Sequence, residues 1–326
     1  MKFRRRKFLH LTAGFVASAA VSRIARAQTY PTRPVRLIVP FPAGGATDTA
    51  ARIIAESMSR ALGQQVYVEN KSGANGNLGI EAAAKSTPDG HTLLVSTDSA
   101  VTNVHVYKVN IDPMKDLVPV IQLSRQPIVL AVHPSLGVRS LADLIAVAKQ
   151  QPGLRYATGG GISAQHMVIQ WFARLAGISF EHVPYRGGGQ AINDLIAGHV
   201  KLGSLGSTPL IPHYRAGTLR LLVQTMEQRS PGLPETPTFQ EAGFKGLVID
   251  QWLGVFVPAG TPTAILARLN VEIGSALADP AIRQNFLEAD QEPIGGSSAQ
   301  FARFAREEYE KYGRLVKELN IRAVAD

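Results

Sequence analysis

Val35-Arg36-Leu37-Ile38-Val39-Pro40-Phe41-Pro42-Ala43-Gly44-Gly45-Ala46-Thr47-Asp48 decides how this chain is read. Val35, Leu37, Ile38 and Val39 form a short apolar run between Pro34 and Pro40, which predicts a buried strand. Two prolines and two glycines then turn the chain. Thr47-Asp48-Thr49 opens a helical pattern with Ala51, Ile54, Ala55, Met58 and Leu62 at i, i+3, i+4 spacing, and Thr47 or Asp48 is the expected N-cap. A strand, a glycine-rich loop and a helix N-terminus bring free backbone N–H groups and the positive end of a helix dipole together, which suits an anion. The loop fits neither G-x-G-x-x-G nor a phosphate loop ending in G-K-[ST].

The same unit repeats downstream. Gln65 to Asn70 alternates as a strand and runs into the glycine-rich stretch 71–79, then a short helix from Ile80 to Lys85. Thr92 to Ser96 is another buried strand, ending in Thr97-Asp98-Ser99-Ala100, small polar residues at the strand edge where open α/β sheets bind ligands. Three such units predict a parallel-sheet lobe. A crossover is expected near 125–128, and Ser140 with Asp143 predicts a capped helix to Lys149. In a second lobe, Leu154 to Thr158 leads into Gly159-Gly160-Gly161-Ile162-Ser163 and a helix from Gln165, with His166 in its first turn. Phe180 to Tyr185 runs into Arg186-Gly187-Gly188-Gly189 and a further helix. Ser204, Ser207 and Thr208 follow His199 to Gly203, and Leu219 to Thr225 is one more strand. Asp250 to Val257 is the return crossover. Thr261 is the expected cap and Pro262 the first residue of a helix to Leu277. Helices over 279–288 and 298–319 are expected to pack on the first lobe.

Composition narrows the partners. The 326 residues carry a formal net charge of +9, but residues 1–27 hold seven cations and no acid, so nine less seven leaves +2 for the rest. That excludes a polyanion-binding footprint, and no nucleic-acid partner is expected. The basic head Lys2 to Lys7, the apolar stretch Phe8 to Val21 and Ala25-Arg26-Ala27 read as an export signal cleaved near Gln28. Arg5-Arg6-Lys7-Phe8-Leu9 matches the twin-arginine core, leaving both that route and the general one open. No later segment reaches transmembrane length. The chain has no cysteine, so burial rather than disulfides must stabilise it.

Catalytic readings are poorly supplied. Gly161-Ile162-Ser163-Ala164-Gln165 starts like G-x-S-x-G but lacks the last glycine. Ser163 with His166 is the one nucleophile–base pair on offer, and it makes a periplasmic hydrolase of a carboxylate the alternative reading. The remaining histidines are scattered singly without metal-ligand spacing, so no metal is expected. Gly187-Gly188-Gly189 lacks the acidic ribose partner of a dinucleotide site, and no cofactor is expected. What remains is anion capture by bare loops. Glycines let a carboxylate oxygen approach the backbone N–H groups, and each such charge-assisted bond contributes roughly 1.5–3 kcal/mol. Three or four suffice for about micromolar binding.

Pro40, Phe41, Gly44, Gly45 and Asp48 resemble the Pro-Phe-x-x-Gly-Gly-x-x-Asp opening of the solute-binding receptors of the tripartite tricarboxylate transporter family, the Bug receptors. Asn70-Lys71-x-Gly73-Ala74-x-Gly76-Asn77-x-Gly79, Asn103, Val183-Pro184-Tyr185-x-Gly187, Trp252-x-Gly254 and Pro258-x-Gly260-Thr261-Pro262 continue the resemblance over 28–326. Gly203 departs from it where family members often carry an Asp. The resemblance implies an α/β fold, a two-lobe periplasmic binding protein of the type II, Venus-flytrap kind with a mainly parallel sheet in each lobe. Lobe one is expected over 28–127 plus 250–326, lobe two over 128–249. It implies a monomeric periplasmic receptor, not an enzyme, holding a small carboxylate, with a membrane permease or a sensor kinase as partner. Expected ligand contacts are Phe41, Ala43, Gly44, Gly45 and Asp48 in the first loop, and Thr97 and Ser99 at the third strand. The second lobe is expected to add Thr158, Gly159, Gly160, Ser163 and His166, then Tyr185, Gly187, Ser204 and Ser207, with Arg186 as a cation nearby.

Overall fold

A computed structural model describes residues 30–321, so the expected export segment at 1–27 lies outside the described residues. The apolar run expected as a strand is β1 (Val35–Val39). It pairs in parallel with β2 (Val66–Asn70) and β3 (Thr92–Thr97), in the order β2-β1-β3. Helix α1 (Ala46–Leu62) covers this sheet. Its Ala50, Ala51, Ile54, Met58 and Leu62 share one core with Val35, Leu37 and Val39. Gly63, at φ 65°, ends the helix in the left-handed conformation that glycine adopts without strain. At the other end neither Thr47 nor Asp48 is the cap. Gly45 holds that position with no side-chain cap bond, because the Asp48 carboxylate reaches back one turn to accept the Gly44 N–H at 3.0 Å. Helix α2 (Asn77–Ala84) follows β2.

The crossover expected near 125–128 lies inside one long strand. In β4 (Leu117–Val132), residues 117–127 pair antiparallel with β9 (Asp250–Pro258), and residues 128–132 pair antiparallel with β7 (Leu202–Gly206) and, in part, with β8 (Arg220–Gln224). β9 also pairs antiparallel with β3. The second parallel set has the order β6-β5-β7, from β5 (Leu154–Thr158) and β6 (Phe180–Pro184). Each lobe is thus a three-stranded parallel core edged by antiparallel crossover strands. Alternation along β4 serves two cores. Ile128, Leu130 and Val132 pack with Tyr156, Val168 and Phe172 on one face, while Val129 and Ala131 pack with Ile192 and Leu205 on the other.

Helices α3 (Leu141–Gln150), α4 (Ala164–Ala176) and α5 (Gly188–Ile196) flank the second sheet, and α3 carries the expected Ser140–Asp143 capping box. Helix α6 (Thr263–Ala278) starts one residue later than expected, with Pro262 as the cap. Thr261 instead donates its hydroxyl to Pro258 O at 2.7 Å, closing the turn before the helix. After α7 (Pro280–Glu288) a strand absent from the sequence reading, β10 (Glu292–Gly295), pairs with β4. Four residues containing a proline and a glycine carry no periodicity to reveal it. Helix α8 (Ser298–Glu318) was expected on the first lobe alone. Its Phe301 and Ala305 do pack there, but Tyr312 and Leu315 enter the core that holds Ile128 and Phe172, so the helix straddles both.

Candidate ligand cleft

The loop after β1 and the loop after β5 face each other across a cleft. The cleft holds two adjoining cavities of about 60 Å³ and about 30 Å³. Both are lined by Phe41, Thr97, Gly159, Gln165 and Gln251. The larger adds an apolar wall of Pro42, Ile192, Leu205 and Pro209 together with Gly45, Ala46 and Thr47. The smaller is polar, with Asn75, Asp98, Ser99, Gly160 and Ser163. No lysine, arginine or histidine lines either one.

Not every glycine amide in the facing loops is free. The Gly44 N–H is held by Asp48, the Gly159 N–H by Gln165 Oε1 at 2.7 Å, and the Gly161 N–H by Asn75 Oδ1 at 3.1 Å. The amides of Gly45, Ala46 and Thr47 at the start of α1, and of Gly160 and Ser163 before α4, have no acceptor among the described residues. The Ser163 Oγ is buried and unpaired as well. Two helix N-termini therefore aim unsatisfied donors into one cleft, and such termini favour negative charge.

Side chains also tie the two walls directly. Asn75 donates to Asn103 Oδ1 at 3.0 Å and to Ile162 O at 3.3 Å while accepting from Gly161. Tyr107 Oη accepts the Ile162 N–H at 2.5 Å. A Cβ on Gly187 would stand 2.7 Å from Pro42 Cδ, so the bare backbone there lets the walls meet. This is a closed cleft.

A family model for the tripartite tricarboxylate transporter family receptor matches residues 50–321. The chain belongs to this family. It is 36% identical over 308 residues to BugT of Bordetella pertussis, covering 93% of this chain and 94% of BugT. Among solved structures, Rpa4515 of R. palustris, determined with adipate, is 36% identical with a TM-score of 0.88, covering 90% of this chain and all of that one. The periplasmic binding protein BugD superposes with a TM-score of 0.86 at 28% identity, covering 90% of this chain and 99% of BugD. MatC of Rhodopseudomonas palustris, with bound malate, does so at 0.83 and 29%, covering 88% and 100%. The two-lobe receptor fold is therefore the fold of this chain, and a receptor rather than an enzyme is what the family describes. No helix among the described residues is long and apolar enough to cross a membrane. No cluster of three or more His, Cys, Asp or Glu there could hold a metal.

Of the receptor's expected contacts, Phe41, Gly45, Thr97, Ser99, Gly159, Gly160 and Ser163 line the cavities. The others stand off them. Ala43 and Gly44 are exposed and line neither cavity. Asp48 is buried beneath it, bonded to Gly44, Arg52 and Asn70. Burial pushes its carboxyl up, but those three partners outweigh burial and hold it below the usual carboxylate range. Thr158 and His166 support the second loop from behind. Thr158 Oγ1 donates to Gly160 O and bonds His182 Nε2, while His166 Nδ1 bonds Tyr156 Oη at 2.8 Å. His166 thus lines neither cavity. Burial pushes it down to about 3, with His182 adding to the shift, and burial pushes His182 down to about 4. Tyr185 bonds Asp194, Gly187 packs on Pro42, Ser204 donates to Gln165 O, and Ser207 is buried. Arg186 is exposed and supplies no cation to the cleft.

The sequence reading did not single out Gln165, Gln251, Asn75 or the apolar wall, all of which line the cavities. Asn75 lies in a loop already singled out and Gln165 in the first turn of the helix after another, so a wider window would have caught them. Gln251 sits inside an apolar strand with no local signal.

Proposed function

We propose that this receptor captures a small carboxylated solute in the periplasm and presents it to a membrane transporter. The observation that carries the reading is the pair of unsatisfied helix N-termini, α1 and α4, aimed from opposite walls into a cleft without a cationic side chain. Charge-assisted bonds from such amides contribute roughly 1.5–3 kcal/mol each. The apolar wall of Ile192, Leu205 and Pro209 then accommodates a hydrocarbon body. The adipate and malate of its relatives fit this chemistry. The lobes divide near 127 and 250, where β4 changes partners, and hinge motion there opens the cleft. Residues 1–27 direct export and are removed, and the mature receptor is a monomer.

The test is calorimetry of the mature protein against a panel of mono- and dicarboxylates, with mass spectrometry of whatever co-purifies. Heat with at least one acid supports the reading. A folded sample silent to the whole panel, and free of any co-purifying acid, defeats it.

A further inference from the structure

We propose that Gln165 and Gln251 are a pair of carboxamide donors, locked with their Nε2 groups facing the cleft, that together hold one acid group of the solute. This rests on the acid-receptor reading above. It assigns the task of anion selection, which a cleft lined by no cation cannot give to an ion pair.

The orientation of each carboxamide follows from backbone groups that can only donate. The Thr208 N–H donates at 3.1 Å to Gln126 Oε1, which also accepts from the Thr208 hydroxyl. With that oxygen fixed, Gln126 Nε2 donates to Gln251 Oε1 at 2.9 Å. Gln251 is left with its Nε2 alone to offer. Gln165 is set in one step, because its Oε1 accepts the Gly159 N–H at 2.7 Å. Flipping either carboxamide would set N–H against N–H. Neither Nε2 has an acceptor among the described residues, and both glutamines line both cavities. Gly206 completes the arrangement. A Cβ there would lie 2.8 Å from Gln126 Nε2 and closer still to Gln251 Oε1, so only a bare strand lets this relay pass.

The two donors stand on different parts of the molecule. Gln251 and Gln126 lie on the crossover strands β9 and β4, whereas Gln165 and Thr208 belong to the second sheet's side. An acid held by both glutamines bridges the hinge strands to α4. Nearby Ser163 Oγ, buried without a partner and free to rotate, is a third neutral group that can donate. Neutral donors with their acceptor ends already satisfied reward a carboxylate and offer nothing to an ammonium group. They also discriminate against an ester or primary amide, which presents only one carbonyl oxygen.

Calorimetry with adipate, malate and benzoate on the mature wild-type protein, Q251E, Q165E, Q251M and Q165M tests this. Glu at either position keeps the inner acceptor and turns an oxygen into the cleft. For whichever acid binds the wild type, affinity should fall about 100-fold or more in each Glu variant, and about 10-fold in each Met variant. Melting curves identify any variant that fails to fold, and the Met variant at the same position then carries the comparison. Wild-type binding with all folded variants within about threefold of it overturns the glutamine assignment alone. Wild-type silence toward all three acids is seen before any variant is used. It defeats the receptor reading for these acid classes and the assignment with it.

Discussion

Asn75 Oδ1 accepts the Gly161 N–H at 3.1 Å, joining the loop after β2 to the loop after β5 across the cleft mouth. The same side chain donates to Ile162 O and Asn103 Oδ1. Asn75 sits at φ 53°, a left-handed conformation that Asn tolerates better than most residues. Asn75→Gly keeps that backbone and removes only the side chain. Two cross-cleft bonds at about 0.5–1.5 kcal/mol each predict 10- to 100-fold faster release of a bound acid. Stopped-flow dissociation checks it, and the melting temperature of the unliganded protein should change little.

Gly161 has a related role that predicts a different signature. A Cβ on it would collide with the Tyr107 hydroxyl, and one on Gly160 with Asn75 Oδ1. On the hinge reading proposed above, both clashes are relieved when the walls part. Gly161→Val should therefore leave the fold intact, hold the cleft open and reduce acid affinity about 100-fold or more, with a larger radius of gyration by small-angle scattering. Gly44→Ala is the control. Nothing stands within 4 Å of a Cβ there and the residue is off the cavity, but its φ of 84° strains any side chain. It should cost about 1 kcal/mol of stability and leave affinity alone.

How much of this was legible in the sequence depends on range. β1 with its loop, the capping box of Ser140 and Asp143, and the second glycine loop are local patterns, and they form where the periodicity and turn residues put them. Gly44 and Gly159 were singled out correctly as loop glycines, yet their amides are taken by Asp48 and Gln165. Spacing reveals which amides exist, not which side chains will claim them. Gln251 meets Gln126 only when β4 and β9 pair over a separation of more than a hundred residues. No window along the chain contains that information.

His166 and His182 predict the acid side of the stability profile. Their folded pKa values, about 3 and about 4, lie below the unfolded value of about 6.5. The unfolded chain therefore takes up protons first as pH falls. The stability of the neutral pair is fully present above about pH 6.5 and is lost on the way down toward pH 4 and 3. His182→Asn removes one such proton, so the slope of unfolding free energy between pH 6 and 4 should drop by about 1.4 kcal/mol per pH unit. Urea titrations at stepped pH measure it.

Asp98 predicts the opposite sign. Burial pushes its carboxyl up to about 7, with the charge of Glu308 adding to the shift and Tyr312 and Lys311 opposing it. The folded state thus binds this proton more tightly than the unfolded chain does. The associated stability is complete below the unfolded pKa of about 4 and is lost as pH rises through 7. Asp98→Asn keeps the shape without the ionisation, so it should gain on the wild type steadily from pH 5 to pH 8. A melting-temperature difference that stays flat over that range would show that Asp98 titrates normally.

Ser163 separates a receptor from a hydrolase. Its Oγ is unpaired, and the nearest sequence candidate for a base, His166, spends Nδ1 on Tyr156 and lines neither cavity. A serine hydroxyl without a base stays protonated and is a poor nucleophile. Ser163→Ala should therefore weaken acid binding about 10-fold by removing one donor. Chromatography of an acid or its ester incubated with wild type and variant should show the compound unchanged in both. Hydrolysis by the wild type that vanishes in Ser163→Ala would mean that the cleft rearranges to bring a base to this hydroxyl, and that the donors at its rim serve a tetrahedral intermediate.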